Sequence, residues 1–107
     1  MNDRQTLDRY LLTHSPEDFA QLVHQHADLV YSAARRQLSD PALAEDVTQA
    51  VFILLQQKAP KIKGPLVGWL ITTAYYTCCN AQKLAARRQF HERRAAEMKP
   101  ETIPSAP

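Results

Sequence analysis

Residues 40–55 constrain the fold of this 107-residue chain more than any other stretch. Asp40 can accept hydrogen bonds from the free backbone N–H groups of a helix start, and Pro41 suits the first helical position. Apolar side chains then recur at helical spacing, at positions 43, 44, 47, 50, 51, 54 and 55. This recurrence predicts a helix that runs to about Lys58 and packs one face into a core.

The opposite side of this helix carries an unusual strip, which we call the α3 strip. It combines acidic, amide and aromatic side chains: Glu45, Asp46, Gln49, Phe52 and Gln56. An exposed aromatic flanked by polar groups is typical of interface hot spots, which favours a docking function. A solvated face with one stray aromatic has the same pattern, and a slight rotation of the helix would bury Phe52.

Similar signals predict three further helices. The first spans residues 3–13. The second begins at Pro16 behind a Ser15 cap and ends at Arg36 or Gln37, and the last runs from about Leu66 to about Met98. Only two glycines and many helix-forming residues argue against a turn-rich β protein. We therefore predict an all-α fold, a small bundle of three main helices plus a short N-terminal helix. Residues 1–98 would form the domain, and the Pro-rich residues 99–107 a linker or disordered tail.

Residues 58–65, the lysine loop, form the one clear break inside the domain. Pro60 and Pro65 prevent a continuous helix, and Gly64 permits unusual backbone angles. The loop also carries three lysines and one apolar residue between them: Lys58, Lys61, Lys63 and Ile62. Such a loop is a candidate contact for a strand of nucleic acid, although ordinary linkers have similar compositions.

The last helix carries a mixed stripe on one face: Trp69, Tyr76, Asn80, Lys83 and Arg87. Aromatic side chains stack on unpaired bases, amides read base edges and cations hold phosphate. The stripe therefore predicts a surface for single-stranded nucleic acid. The buried stripe of the same helix is expected at Leu66, Leu70, Thr73, Ala74, Thr77, Ala81 and Leu84.

Charge is divided unevenly along the chain. Residues 1–57 carry four basic against eight acidic side chains, a net charge of −4, and residues 58–107 carry nine against three, a net charge of +6. This division suggests two partners of different character, with the basic half able to meet phosphate. Two solvated faces would give the same totals.

Several classes of protein are disfavoured. There is no run of about 18 apolar residues to span a membrane, and the polar start lacks the apolar segment of a signal peptide, so a cytoplasmic location without membrane contact is expected. Glycine-rich phosphate loops, CxxC and HExxH are missing, and the neighbours Glu45 and Asp46 do not converge as an acid–base pair. We expect no catalytic residue, metal or cofactor.

The adjacent Cys78 and Cys79 are poorly placed for a disulfide and are expected to be reduced thiols.

Four segments together resemble region 2 of bacterial sigma factors, most closely the extracytoplasmic-function type. They are FAQLV at residues 19–23, AEDVTQAVF at 44–52, GWL at 68–70 and Arg87-Arg88. The resemblance covers roughly residues 4–98 and is specific as a combination. It implies a helical bundle that docks on RNA polymerase and recognises and melts the −10 promoter element.

The resemblance also implies roles for particular residues. Asp46 and Gln49, with Glu45 and Phe52 nearby, would contact the clamp helices of the polymerase β′ subunit, and residues 58–67 would capture a base flipped out of the non-template strand. The residues implied along that strand are Lys58, Lys61, Ile62, Lys63, Trp69, Tyr76, Thr77, Asn80, Lys83, Arg87 and Arg88. An anti-sigma factor is a further candidate partner.

The chain departs from the family pattern in two ways. Many members have Asn where this chain has Tyr76, which presents different hydrogen-bonding groups to a base. No stretch of the sequence resembles the family's −35-reading helix-turn-helix domain, so we expect the chain to be a truncated piece or a single-domain version, and the Pro-rich tail favours truncation. Two alternatives are a helical protein–protein adaptor and a DNA-binding regulator that acts without polymerase. An adaptor function would not explain the mixed stripe. A helix-turn-helix regulator is disfavoured because the lysine loop is too long for the tight turn of that motif.

Overall fold

Four helices make up the described part of the chain. The computed structural model describes residues 3–102, and the side chains of residues 4–97. The helices are α1 (Asp3–Thr13), α2 (Pro16–Gln37), α3 (Pro41–Lys58) and α4 (Leu66–Thr102), and one 3₁₀ turn, Ala59–Lys61, follows α3. Within residues 3–102 there is no β-strand, so the all-α prediction is confirmed.

The two central helix starts are capped as the sequence predicts. The Ser15 hydroxyl oxygen accepts hydrogen bonds from the backbone N–H groups of Glu17 (3.2 Å) and Asp18 (3.4 Å). The Asp40 carboxylate accepts one from the backbone N–H of Ala42 at 2.9 Å. Each cap satisfies N–H groups that the first helical turn leaves unpaired, and thereby fixes where α2 and α3 begin.

The core is formed by one apolar face of each helix. Both α2 and α4 contact all three other helices, so these two elements hold the bundle together. The largest fully buried apolar side chains come from all four helices: Leu7, Leu22, Val30, Val51, Leu55, Leu66 and Leu70. Burial of these side chains is the main favourable contribution to folding.

The second half of α4 extends beyond the bundle. At 37 residues, α4 is about 55 Å long, and the described chain measures 70 × 25 × 21 Å. The prediction that Leu84 is buried is wrong, because its side chain is 59% exposed. Leu84 lies beside Leu43, in the first turn of α3, so little of α3 remains to cover it.

The end of α4 also differs from the expected position. The helix continues to Thr102 rather than stopping near Met98, and no glycine follows Met98 to end it. The predicted tail thus overlaps the last turn of α4, and its remaining residues, 103–107, lie outside the described residues.

Candidate functional site

The polar members of the α3 strip are exposed along one side of α3. Glu45, Asp46 and Gln49 all face solvent. Among residues 4–97, neither carboxylate forms an ion pair with a basic side chain. Their oxygen atoms are therefore available to accept charge-assisted hydrogen bonds from a partner.

Phe52 is a correction to the predicted strip. Its side chain is only 6% exposed and belongs to the core cluster with Val51 and Leu55. The core covers a wider arc of α3 than the apolar stripe indicated, and the arc extends to Phe52. The neighbouring Ile53 is 56% exposed instead, and its spacing from Gln49 places it on the same face of the helix.

Ile62 is a second correction, because the lysine loop turns it inward. Its side chain is 4% exposed and packs in the core with Ala59, while Lys58, Lys61 and Lys63 are exposed. The Ile62 backbone N–H donates to the Ala59 carbonyl at 3.2 Å, which closes the 3₁₀ turn. Ile62 therefore anchors the loop, and the lysines form its outer surface.

The predicted aromatic residues of α4 differ in exposure. Tyr76 is 63% exposed, whereas Trp69 is half-buried against the core. Tyr75 is also exposed, and its ring meets that of Tyr76 edge to face, with centroids 5.5 Å apart. Thr77 is half-buried, and its hydroxyl donates to the Thr73 carbonyl at 2.7 Å. The exposed aromatic surface is thus a tyrosine pair with Trp69 at its edge.

The polar end of the stripe is brought together along α4. Asn80, Lys83 and Arg87 line one shallow depression of about 300 Å³ with Leu84. Arg88 lies apart from it, in a smaller depression of about 150 Å³ that also includes Leu43. Asn80, Lys83 and Arg87 therefore share one depression, and Arg88 lines a different one.

A groove between α3 and α4 joins the two predicted surfaces. It has a volume of about 250 Å³, with Asp46 on its α3 side and Asn80 on its α4 side. Its other lining residues are almost all apolar: Leu43, Val47, Ala50, Thr77, Ala81 and Leu84. The α3 strip and the α4 stripe are therefore neighbours on the bundle.

The part of the chain that the structure describes has neither a cluster of metal-ligating side chains nor a membrane-spanning helix. No three His, Cys, Asp or Glu side chains there lie close enough together to hold a metal ion. None of its helices combines the length and apolar character needed to cross a membrane. The features that remain are an acidic surface, a basic surface and exposed aromatic rings.

A family model described as sigma-70 region 2 matches residues 22–89, well over half of the chain. The chain belongs to the sigma-70 region 2 family. Region 2 domains act in RNA polymerase binding and promoter recognition, so polymerase core and promoter DNA are the partners that this membership indicates. Comparison with curated proteins and with solved structures gave no significant match.

Every residue predicted for the site lies within the matched part of this region 2 domain. Sequence reasoning missed Ile53, although its position outside the apolar stripe of α3 was a usable signal. It also missed Tyr75, which directly precedes Tyr76. A third residue, Arg4, bonds to the lysine loop from α1 and had no local signal, because 58 residues separate it from Ile62.

Proposed function

We propose that this region 2 domain docks on the β′ clamp helices through α3 and holds the non-template strand of the −10 element on α4 and the lysine loop. It would be a cytoplasmic initiation domain of the extracytoplasmic-function type. One observation carries the proposal. Asp46 of the α3 strip and Asn80 of the α4 stripe line the two sides of one groove, and Asn80 also lines the adjoining depression with Lys83 and Arg87. A domain that must hold polymerase and DNA simultaneously needs two such surfaces side by side.

The polymerase contact is assigned to the exposed members of the α3 strip. Asp46 and Gln49 would accept and donate hydrogen bonds to the clamp helices, with Glu45 beside them. Ile53 adds an apolar side chain on the same face. Phe52 supports this surface from beneath, since its ring is in the core.

The DNA contact is assigned to the loop and the exposed face of α4. Tyr76 and the exposed part of the Trp69 ring would stack on unpaired bases, and Asn80 would form hydrogen bonds with the edge of a base. Phosphates would be held by the basic residues of both elements: Lys58, Lys61, Lys63, Lys83, Arg87 and Arg88. Unpairing a base costs a few kcal/mol, and stacking contributes about 1–3 kcal/mol per base, so the two aromatic contacts would offset much of the cost of opening the strand.

The docking assignment is tested by titrating the domain with a fragment that contains the clamp helices. Asp46→Ala should weaken binding about tenfold, the effect of losing one charge-assisted hydrogen bond, and Gln49→Ala about fivefold, the effect of losing a neutral one. Asp28→Ala and Gln25→Ala remove the same groups from exposed positions of α2 and should leave the affinity unchanged. Parent-like binding by both α3 variants would show that the assignment is wrong.

The DNA assignment is tested with a single-stranded −10 oligonucleotide over a range of salt concentrations. The double variant Lys83→Ala/Arg87→Ala should lower the slope of log affinity against log salt by about 1.4, since each phosphate contact on a single strand contributes about 0.7. The charge-preserving variant Lys83→Arg/Arg87→Lys should retain the parent slope. A double variant with the parent affinity and slope would show that Lys83 and Arg87 do not hold the strand. A domain that binds polymerase but no DNA would instead be a protein–protein adaptor.

A further inference from the structure

We infer that Arg4 of α1 is a positioning residue that fixes the backbone of the lysine loop for strand binding. This inference rests on the proposed function, because it concerns how the loop receives DNA. Arg4 lies outside the matched residues 22–89, so the family match assigns it no role.

Arg4 bonds directly to the loop backbone. Its Nη1 atom donates to the carbonyl oxygens of Ile62 at 2.9 Å and Gly64 at 3.2 Å. These two carbonyls lie on either side of Lys63 in the chain. Its Nε atom is held by the Asp8 carboxylate at 3.1 Å, one helical turn along α1, which orients the guanidinium group. The guanidinium carries a positive charge, so its hydrogen bonds to carbonyl oxygens are stronger than bonds between neutral groups.

The inner and outer sides of the loop differ in how they are held. Ala59 and Ile62 hold its inner side in the core. Gly64, with φ of +80°, is in the left-handed region that favours glycine, and it is exposed together with Lys63 and Pro65. Without Arg4, the carbonyls that flank Lys63 would be free to turn towards water. Arg4 therefore determines where the exposed Lys63 is presented.

A loop that is already ordered loses less conformational entropy when it binds a ligand. Arg4 should accordingly strengthen strand binding without touching the DNA. This separates its effect from that of a phosphate contact, which would change the salt dependence of binding.

The test compares Arg4→Ala with the parent and with Arg9→Ala. Arg9→Ala removes the same charge from the same helix, at a residue that pairs with Asp18 instead of the loop. Amide hydrogen exchange should accelerate about five- to tenfold at Ile62 in Arg4→Ala only, because the Ile62 N–H is bonded to the Ala59 carbonyl and the variant loses one or two hydrogen bonds that restrain opening of the loop. Exchange at the core positions Leu22 and Leu55 should be unchanged, because Ala preserves the helix.

The same variants are then measured with the −10 oligonucleotide on polymerase core. Arg4→Ala should bind about three- to tenfold more weakly with the parent salt slope, as reduced preorganisation predicts. Unchanged loop exchange, or a slope lower by about 0.7, would overturn the inference. Faster loop exchange with parent affinity would also overturn it, while weakening by Lys83→Ala/Arg87→Ala would show that the proposed function still holds. If the parent itself does not bind the strand, both the proposed function and the positioning role fail.

Discussion

Replacing Phe52 by Ala separates a core role from a docking role for the aromatic residue of α3. Phe52 is 6% exposed and packs in the core, so its truncation should lower the free energy of unfolding by about 3–5 kcal/mol. A domain of this size has about 5–15 kcal/mol in total, so the variant should still fold at low temperature. At about 4–8 °C per kcal/mol, its melting temperature should fall by roughly 12–40 °C.

Urea denaturation followed by circular dichroism measures the loss of stability, and titration with the clamp helices measures docking. At a temperature where Phe52→Ala is folded, its affinity for the clamp helices should stay within about twofold of the parent, a difference of about 0.4 kcal/mol. Ile53→Ala is the matched control, because Ile53 is the next residue and is exposed. It should change stability by no more than about 0.5 kcal/mol while weakening docking. A stable Phe52→Ala variant that has lost docking would refute the core assignment.

Two further predictions concern titratable groups. The hydroxyl of Ser15 donates to the Glu17 carboxylate and, with the Glu17 backbone N–H, holds the pKa of Glu17 below its ordinary value of 4.5. A lowered folded-state pKa stabilises the fold above pH 4.5, and the contribution disappears as pH falls through the folded value. Glu17→Gln should thus be less stable than the parent in urea at pH 7 and equally stable in acid; a constant difference would contradict this. Burial raises the pKa of the Cys78 thiol, whereas Cys79 is half-exposed, so Cys79→Ser should lose the fast phase of reaction with a disulfide reagent and Cys78→Ser should keep it.

The helix starts and the break between α3 and α4 could be predicted because their causes are local, whereas α4 ends beyond its predicted position. Ser15 and Asp40 cap the helices that follow them, and Pro60 and Pro65 interrupt the backbone hydrogen bonding between α3 and α4. Each signal acts within a few residues of the boundary. A single sequence therefore contains the information needed to place the elements.

Exposure was harder to predict, because it depends on which elements lie opposite. Phe52 and Leu84 both occur in helices that were predicted correctly, yet Phe52 is buried and Leu84 is exposed. A helix has 3.6 residues per turn, so neighbouring side chains point about 100° apart, and a modest rotation of the helix changes which of them face the core. How much of each helix its neighbours cover is set by packing, which local periodicity does not encode.

Contacts between the lysine loop and distant parts of the chain were also not predictable from local sequence patterns. Its three lysines could be predicted as an exposed basic surface, but the inward turn of Ile62 and the bonds from Arg4 could not. Those contacts join α1 to a segment almost 60 residues away. They arise only because the bundle places α1 against the 3₁₀ turn.

The measurement that tests the central claim most directly is binding of a fluorescent −10 non-template strand to polymerase core carrying this domain. We expect the complex to bind the strand more tightly than core alone. Asp46→Ala/Gln49→Ala should lose this gain because the domain leaves the core, and Lys83→Ala/Arg87→Ala should lose it while the domain stays bound. A strand affinity equal to that of the parent complex in both double variants would contradict the account.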